Sequence, residues 1–117
     1  MLGLNSSNKS PEIPEDCILH RSTTVPVRKI NRLLSRCNQD THQPRKFELA
    51  LENSDFYLTL LTKSNDDLVG FVRVTSDKGL NANLWDLVAE PGTQQGDYIS
   101  IIVFKAIDII RRELPGC

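Results

Sequence analysis

Between Phe56 and Ala89 three runs of β-forming residues follow one another with only short polar turns between them, and that spacing leaves the chain few ways to fold. Phe56-Tyr57-Leu58-Thr59-Leu60-Leu61 is rich in aromatic and β-type side chains. Lys63 to Asp67 turns the chain into a second run, Leu68 to Val74, and Ser76-Asp77-Lys78-Gly79 turns it into a third, Asn81 to Ala89. Parallel neighbours need a crossover of about a dozen residues or more, which these turns cannot supply. The runs therefore predict an antiparallel meander.

Helical patterns surround the meander. Upstream, Cys17-Ile18-Leu19-His20 reads as a short strand. Val27, Ile30, Leu33, Leu34 and Cys37 then recur at the spacing of one helix face, with Arg28, Lys29, Arg32 and Arg36 largely outside it. A second helix is expected from Pro44, with Phe47, Ala50 and Leu51 as its apolar face and Asn53-Ser54-Asp55 as its end. Downstream, Glu90 to Asp97 reads as a loop and Ile99 to Leu114 as a long helix. Its apolar residues are Ile99, Ile102, Val103, Ala106, Ile107 and Ile110, with Ile101, Phe104 and Ile109 widening the face. So broad a face suits burial against a sheet. Strand, helix, helix, three strands, helix is the order of an α+β domain.

A chain of 117 residues suffices for one such domain. It is expected over residues 17–117, behind a flexible tail over residues 1–16. The tail is polar, holds Pro11 and Pro14, and lacks the apolar core of a signal peptide. The longest apolar run is Ile101–Phe104, so no membrane partner is expected. A formal net charge of −1 supplies no basic field for nucleic acid. Cys17, Cys37 and Cys117 are widely spaced and form no zinc-type cluster with histidine, so no metal is expected. Reduced thiols and a cytoplasmic location are the expectation.

Ligand chemistry is expected where the third run meets the long helix. A glycine-bearing loop that enters a helix exposes unpaired main-chain N–H groups, and the helix dipole adds partial positive charge. Such a junction holds a phosphate without any basic side chain. The competing reading makes Pro91-Gly92 a plain turn. Flanking residues favour the first reading. Leu68-Val69-Gly70-Phe71-Val72-Arg73-Val74-Thr75-Ser76-Asp77 resembles the third strand and hairpin turn of the GNAT N-acetyltransferases. Leu84-Trp85-Asp86-Leu87-Val88-Ala89-Glu90-Pro91 resembles their fourth strand. Gln95-Gly96-Asp97-Tyr98-Ile99-Ser100 stands where that family has its pyrophosphate loop, and the Arg111-Arg112-Glu113-Leu114-Pro115-Gly116 ending also matches.

The resemblance implies a GNAT-like fold, a mostly antiparallel sheet flanked by helices. It implies transfer of an acetyl group from acetyl-CoA to a primary amine, on a small molecule or a protein. It implies that the main chain at Leu87, Val88 and Ala89 binds the pantetheine arm as if it were an added strand. N–H groups of Gln95, Gly96, Asp97, Tyr98, Ile99 and Ser100 would hold the pyrophosphate. A carboxylate, or a water chain leading to one, would take the amine proton. Asp86 is the candidate, and strand alternation sets it opposite Trp85 and Leu87, alongside Leu84 and Val88. A hydrogen-bonded structural aspartate is the competing reading. Trp85 reads as core, with a place in an acceptor pocket as the alternative, Arg73 as a solvated strand-face arginine, with recognition of an acidic acceptor as the alternative, and His42 as a solvated loop residue.

Two departures from the family pattern bear on function. In the register that best aligns the helix, Tyr98 stands for the family's glycine and Ser100 for its glycine or alanine. With Gln94 as the first residue of the pattern, Asp97 and Ile99 take those places. Either register puts bulk where the main chain must approach phosphate, and Asp97 adds negative charge there. The chain also reaches Cys117 ahead of the family's fifth strand. The C-terminal part of the fold is therefore expected to be missing, leaving a sheet edge open to a homo-oligomer. A catalytically impaired GNAT-like binding or interaction module is the alternative to the enzyme.

Overall fold

Strand pairing follows the spacing of the turns in the computed structural model, which describes residues 10–117. Strands β1 (Cys17–Arg21), β2 (Phe56–Thr62), β3 (Leu68–Ser76) and β4 (Ala82–Ala89) form one sheet in the order β1-β2-β3-β4. Every neighbouring pair is antiparallel, so the meander expected from the short turns is present, with β1 added at one side. β4 forms the other edge.

Both sheet faces are covered, which explains why β2 is buried at six successive positions rather than alternating. On one face lie helices α1 (Val27–Arg36) and α2 (Pro44–Asn53). Their Ile30, Leu33, Leu34, Phe47 and Leu51 pack on Tyr57, Leu61, Phe71 and Val88. On the other face lies α3 (Gln95–Glu113), whose Tyr98, Ile101, Ile102, Ala106, Ile109 and Ile110 pack on Phe56, Leu58, Leu60, Val72, Val74 and Ala89. Gly70 sets the closest approach of these layers: a Cβ there would stand 2.3 Å from Cδ1 of Ile102.

Two expectations about α3 are corrected. It begins at Gln95 rather than Ile99, because Asp97 suits the positive end of the helix dipole even though the first turn lacks apolar periodicity. Its buried stripe runs through Ile101 and Ile109 rather than Ile107, which is 38% exposed.

Most of the tail expected over residues 1–16 lies outside the described residues. Asp16 itself is docked: its carboxylate accepts from the N–H and hydroxyl of Ser64 at 3.2 and 3.1 Å. Among the described residues no helix is long and apolar enough to cross a membrane.

Candidate active site

The site begins with one residue of β4 in an unusual conformation. Phe71 pairs with Val88 and Arg73 with Trp85, so Asp86 and Leu87 together stand opposite Val72. Two residues against one make a β-bulge. Asp86 carries it at φ 57°, a region that aspartate tolerates better than most side chains. The bulge breaks the alternation expected for this strand. Leu84 and Leu87 both pack toward α3, while Asp86 joins Val88 and Arg73 on the α1–α2 face. Trp85 is no core residue: it is 46% exposed and donates its indole N–H to Thr75 Oγ1 at 2.7 Å.

The α1–α2 connection reaches the same place. Asn38 at φ 59° ends α1, and the N–H groups of Asn38 and Gln39 fold back onto Ser35 O and Leu34 O. The connection then returns along α1, where Asn31 grips the main chain of His42 twice, donating to its carbonyl and accepting from its N–H, both at 2.9 Å. The His42 ring packs edge-on against Phe47 at 4.7 Å between centroids. Its Nε2 lies 3.1 and 3.0 Å from Oδ1 and Oδ2 of Asp86. Arg73, with its guanidinium over the Trp85 ring at 5.7 Å, brings Nε to 3.8 Å from Asp86 Oδ2. That Nε is buried without a hydrogen-bond acceptor.

His42 and Arg73, read from the sequence as solvated, are thus brought together at Asp86. His42 sits in a polar connection with no periodicity, and its partner is 44 residues away. A charged residue on an otherwise apolar strand was the one available signal for Arg73.

The end of β4 supplies main-chain groups. Glu90 N–H donates to Val69 O at 2.8 Å, which makes Glu90 and Val69 a hydrogen-bonded pair. Ala89, one step back, therefore points its N–H and C=O away from β3, toward the free edge, and Val88 points toward β3. The Ala89 carbonyl accepts from Cys37 Sγ and from Gln95 Nε2, both at 3.0 Å. These two bonds tie α1, β4 and α3 at one point, and they engage the Gln95 side chain.

At the start of α3, Gln95 N–H reaches Gly92 O at 3.3 Å and Tyr98 N–H reaches Gln94 O at 3.0 Å. Ile99 and Ser100 lie inside the helix, where N–H groups bond back four residues. The amide group expected over Gln95 to Ser100 is therefore narrower and shifted. Among the described residues, the N–H groups of Thr93, Gln94, Gly96 and Asp97 find no acceptor. Gly92, at φ 141°, adopts a conformation that favours glycine, and a Cβ on Gly96 would meet nothing within 4 Å. Tyr98 does not block this end. It is buried in the core, and its hydroxyl donates to Gln94 Oε1 at 2.5 Å. Burial, with the Cys17 thiol beside it, pushes the Tyr98 hydroxyl up in pKa, so it stays a donor. Burial pushes the Cys17 thiol up as well.

Lys29, Arg32 and Arg36 line a groove of about 330 Å³ against Asp67 and Glu90, and Arg36 pairs with the Glu90 carboxylate.

No family model matches the chain. It is 29% identical over 100 residues to the "Uncharacterized N-acetyltransferase ycf52" of Pyropia yezoensis, covering 84% of this chain and 58% of that protein. The protein of the same name from Porphyra purpurea is 27% identical with the same coverage. The chain thus spans little more than half the length of these curated relatives. Among solved structures, a "Probable Acetyltransferase" of unknown function from Meticillin-Resistant Staphylococcus aureus superposes with a TM-score of 0.70 at 22% identity, over 81% of this chain and 71% of that one. A GNAT family acetyltransferase from Streptococcus pneumoniae superposes at 0.64 with 19% identity, over 81% and 68%. The sheet flanked by helices is the GNAT-like α+β fold, and on the sequence side the chain is similar to proteins named N-acetyltransferases.

Proposed function

We propose that the chain carries the acetyl-CoA half of an N-acetyltransferase site and transfers the acetyl group to a primary amine. One observation supports this reading above the others: a bulged strand with a free edge runs directly into a helix whose first amides are unbonded. Along that edge the main chain of Leu87 and the N–H of Ala89, whose carbonyl is already engaged by Cys37 and Gln95, are offered to the pantetheine arm. Thr93, Gln94, Gly96 and Asp97 offer N–H groups to the pyrophosphate.

Acetyl-CoA supplies an activated acyl group with a good leaving thiol. The amine arrives as an ammonium and must lose a proton before its lone pair can attack. Asp86, 17% exposed and beside the edge, is placed to take it. As the C–N bond forms the C–S bond breaks, and the second proton shed by nitrogen goes to the departing thiolate. A main-chain N–H of β4 near the bulge steadies the carbonyl oxygen.

Acetyl-CoA added at a hundredfold excess over its Kd should stabilise the fold by about 2.7 kcal/mol. Its melting temperature should therefore rise, and free thiol should appear with one member of a panel of primary amines such as spermidine, lysine methyl ester and an unblocked peptide. The binding-module alternative gives no thiol release, and no melting shift at millimolar acetyl-CoA sinks the transferase reading.

A further inference from the structure

We infer that His42 is a positioning residue for this reaction, holding the Asp86 carboxylate in the orientation and charge state in which it takes the amine proton. The inference rests on the transferase reading above. A carboxylate only accepts hydrogen bonds, so His42 Nε2, 3.0–3.1 Å from the two oxygens, carries the hydrogen and donates it. One donor spanning both oxygens leaves lone pairs on each oxygen for another partner. A solvated loop histidine would show none of the restraints found here. The main chain of His42 is clamped in both directions by Asn31, and the ring is set by Phe47.

Charge gives the arrangement a direction. The groups facing His42 are Asn31 from α1 and Phe47 from α2, neither of which titrates, and Asp86 from β4, with Arg73 of β3 behind it. With His42 neutral, Asp86 has one cation beside it. With His42 protonated it has two, the imidazolium and the Arg73 guanidinium. Two cations hold the carboxylate as an ion-pair partner and repel an incoming ammonium.

The test compares the unaltered chain with His42→Ala and His42→Gln. Its readouts are kcat and KM against pH, using the amine the unaltered chain acetylates fastest, together with calorimetric Kd for acetyl-CoA and melting temperature. His42→Ala should lower kcat about tenfold to a hundredfold, the scale seen when an orienting partner is lost. Its acetyl-CoA Kd should stay unchanged. His42→Gln keeps an N–H donor for the Asp86 carboxylate, so it should recover most of kcat. If His42→Ala keeps both kcat and the pH profile, or changes only the acetyl-CoA Kd, the inference is overturned while the transferase reading stands. If the unaltered chain neither binds nor turns over acetyl-CoA, the transferase reading falls first and this inference with it.

Discussion

Asparagine at position 86 keeps the backbone and removes the proposed base, because Asn and Asp share a tolerance for the φ of 57° found there. Asp86→Asn should therefore melt near the unaltered chain and bind acetyl-CoA with the same Kd. Its kcat should fall by about a hundredfold to ten-thousandfold, the range for loss of a general base. Asp86→Ala changes two things at once. It loses the carboxylate and also forces a Cβ without polar compensation into the left-handed region, at a cost of about 1 kcal/mol or more in a denaturant melt. Asp86→Gly removes that strain, so glycine should be the more stable of the two and equally inactive. The residue itself was legible from the sequence as a carboxylate on a mostly apolar strand. Its surroundings were not. Alternation assumes an unbroken pleat, and the extra residue of the bulge shifts Leu87 to the α3 side and leaves Asp86 facing His42 and Arg73. A bulge leaves no composition signature in β4, so only the observed register reveals it.

Elements were legible where burial imposes a period and misread where hydrogen bonding alone sets the boundary. The meander and α1 follow directly from their apolar spacing, and α1 buries Ile30, Leu33 and Leu34 as that spacing requires. The start of α3 has no apolar residue before Tyr98, so the loop expected up to Asp97 conceals one helical turn. That turn concentrates the unbonded amides over 93–97 and draws Tyr98 into the core, away from any phosphate. Asp97 then has opposed effects, strengthening the helix start and repelling an anion at the same place. Asp97→Asn should tighten acetyl-CoA by about two- to fivefold at low salt, with the gain shrinking as salt rises. A calorimetric titration at two ionic strengths reads this directly. The packing of α3 on β3 makes a separate demand. Gly70→Ala would drive Ile102, which is fully buried, out of its place. Overpacking of that kind costs about 1–3 kcal/mol, visible as a lower denaturation midpoint with an unchanged slope.

At the scale of the whole molecule, two cores on opposite faces of one sheet are held in register partly by carboxylates at the sheet's margins, and these make stability depend on acid. Asp55 precedes β2 and bonds Lys78 Nζ at 2.5 Å and Ser76 Oγ at 3.0 Å, joining the end of α2 to the β3–β4 turn. Those partners, Lys78 first, hold its pKa below the ordinary value. Glu113 is likewise lowered, chiefly by Arg21, whose two terminal nitrogens donate to it at 2.6 Å and tie β1 to the end of α3. Asp77 is lowered from 3.8 to about 2 by main-chain N–H groups of Asn81, Gly79 and Leu80 that converge on its carboxylate. In each case the folded chain binds its proton less readily than the unfolded chain. The contribution is therefore complete above the unfolded pKa and disappears as pH falls through the folded one. For Asp77 that window runs from about 4 down to about 2. Urea melts at pH 7, 4 and 2 should show the midpoint falling mainly between the last two. The Asp55 and Glu113 contributions should weaken with added salt, since both rely on exposed cations, whereas the N–H bonds to Asp77 should not. Asp77→Asn separates these causes: its amide oxygen still accepts the three N–H groups but does not titrate, so its midpoint should fall less steeply below pH 4 than that of the unaltered chain. Identical slopes in the two proteins would assign the acid loss to the ion pairs at Asp55 and Glu113 instead.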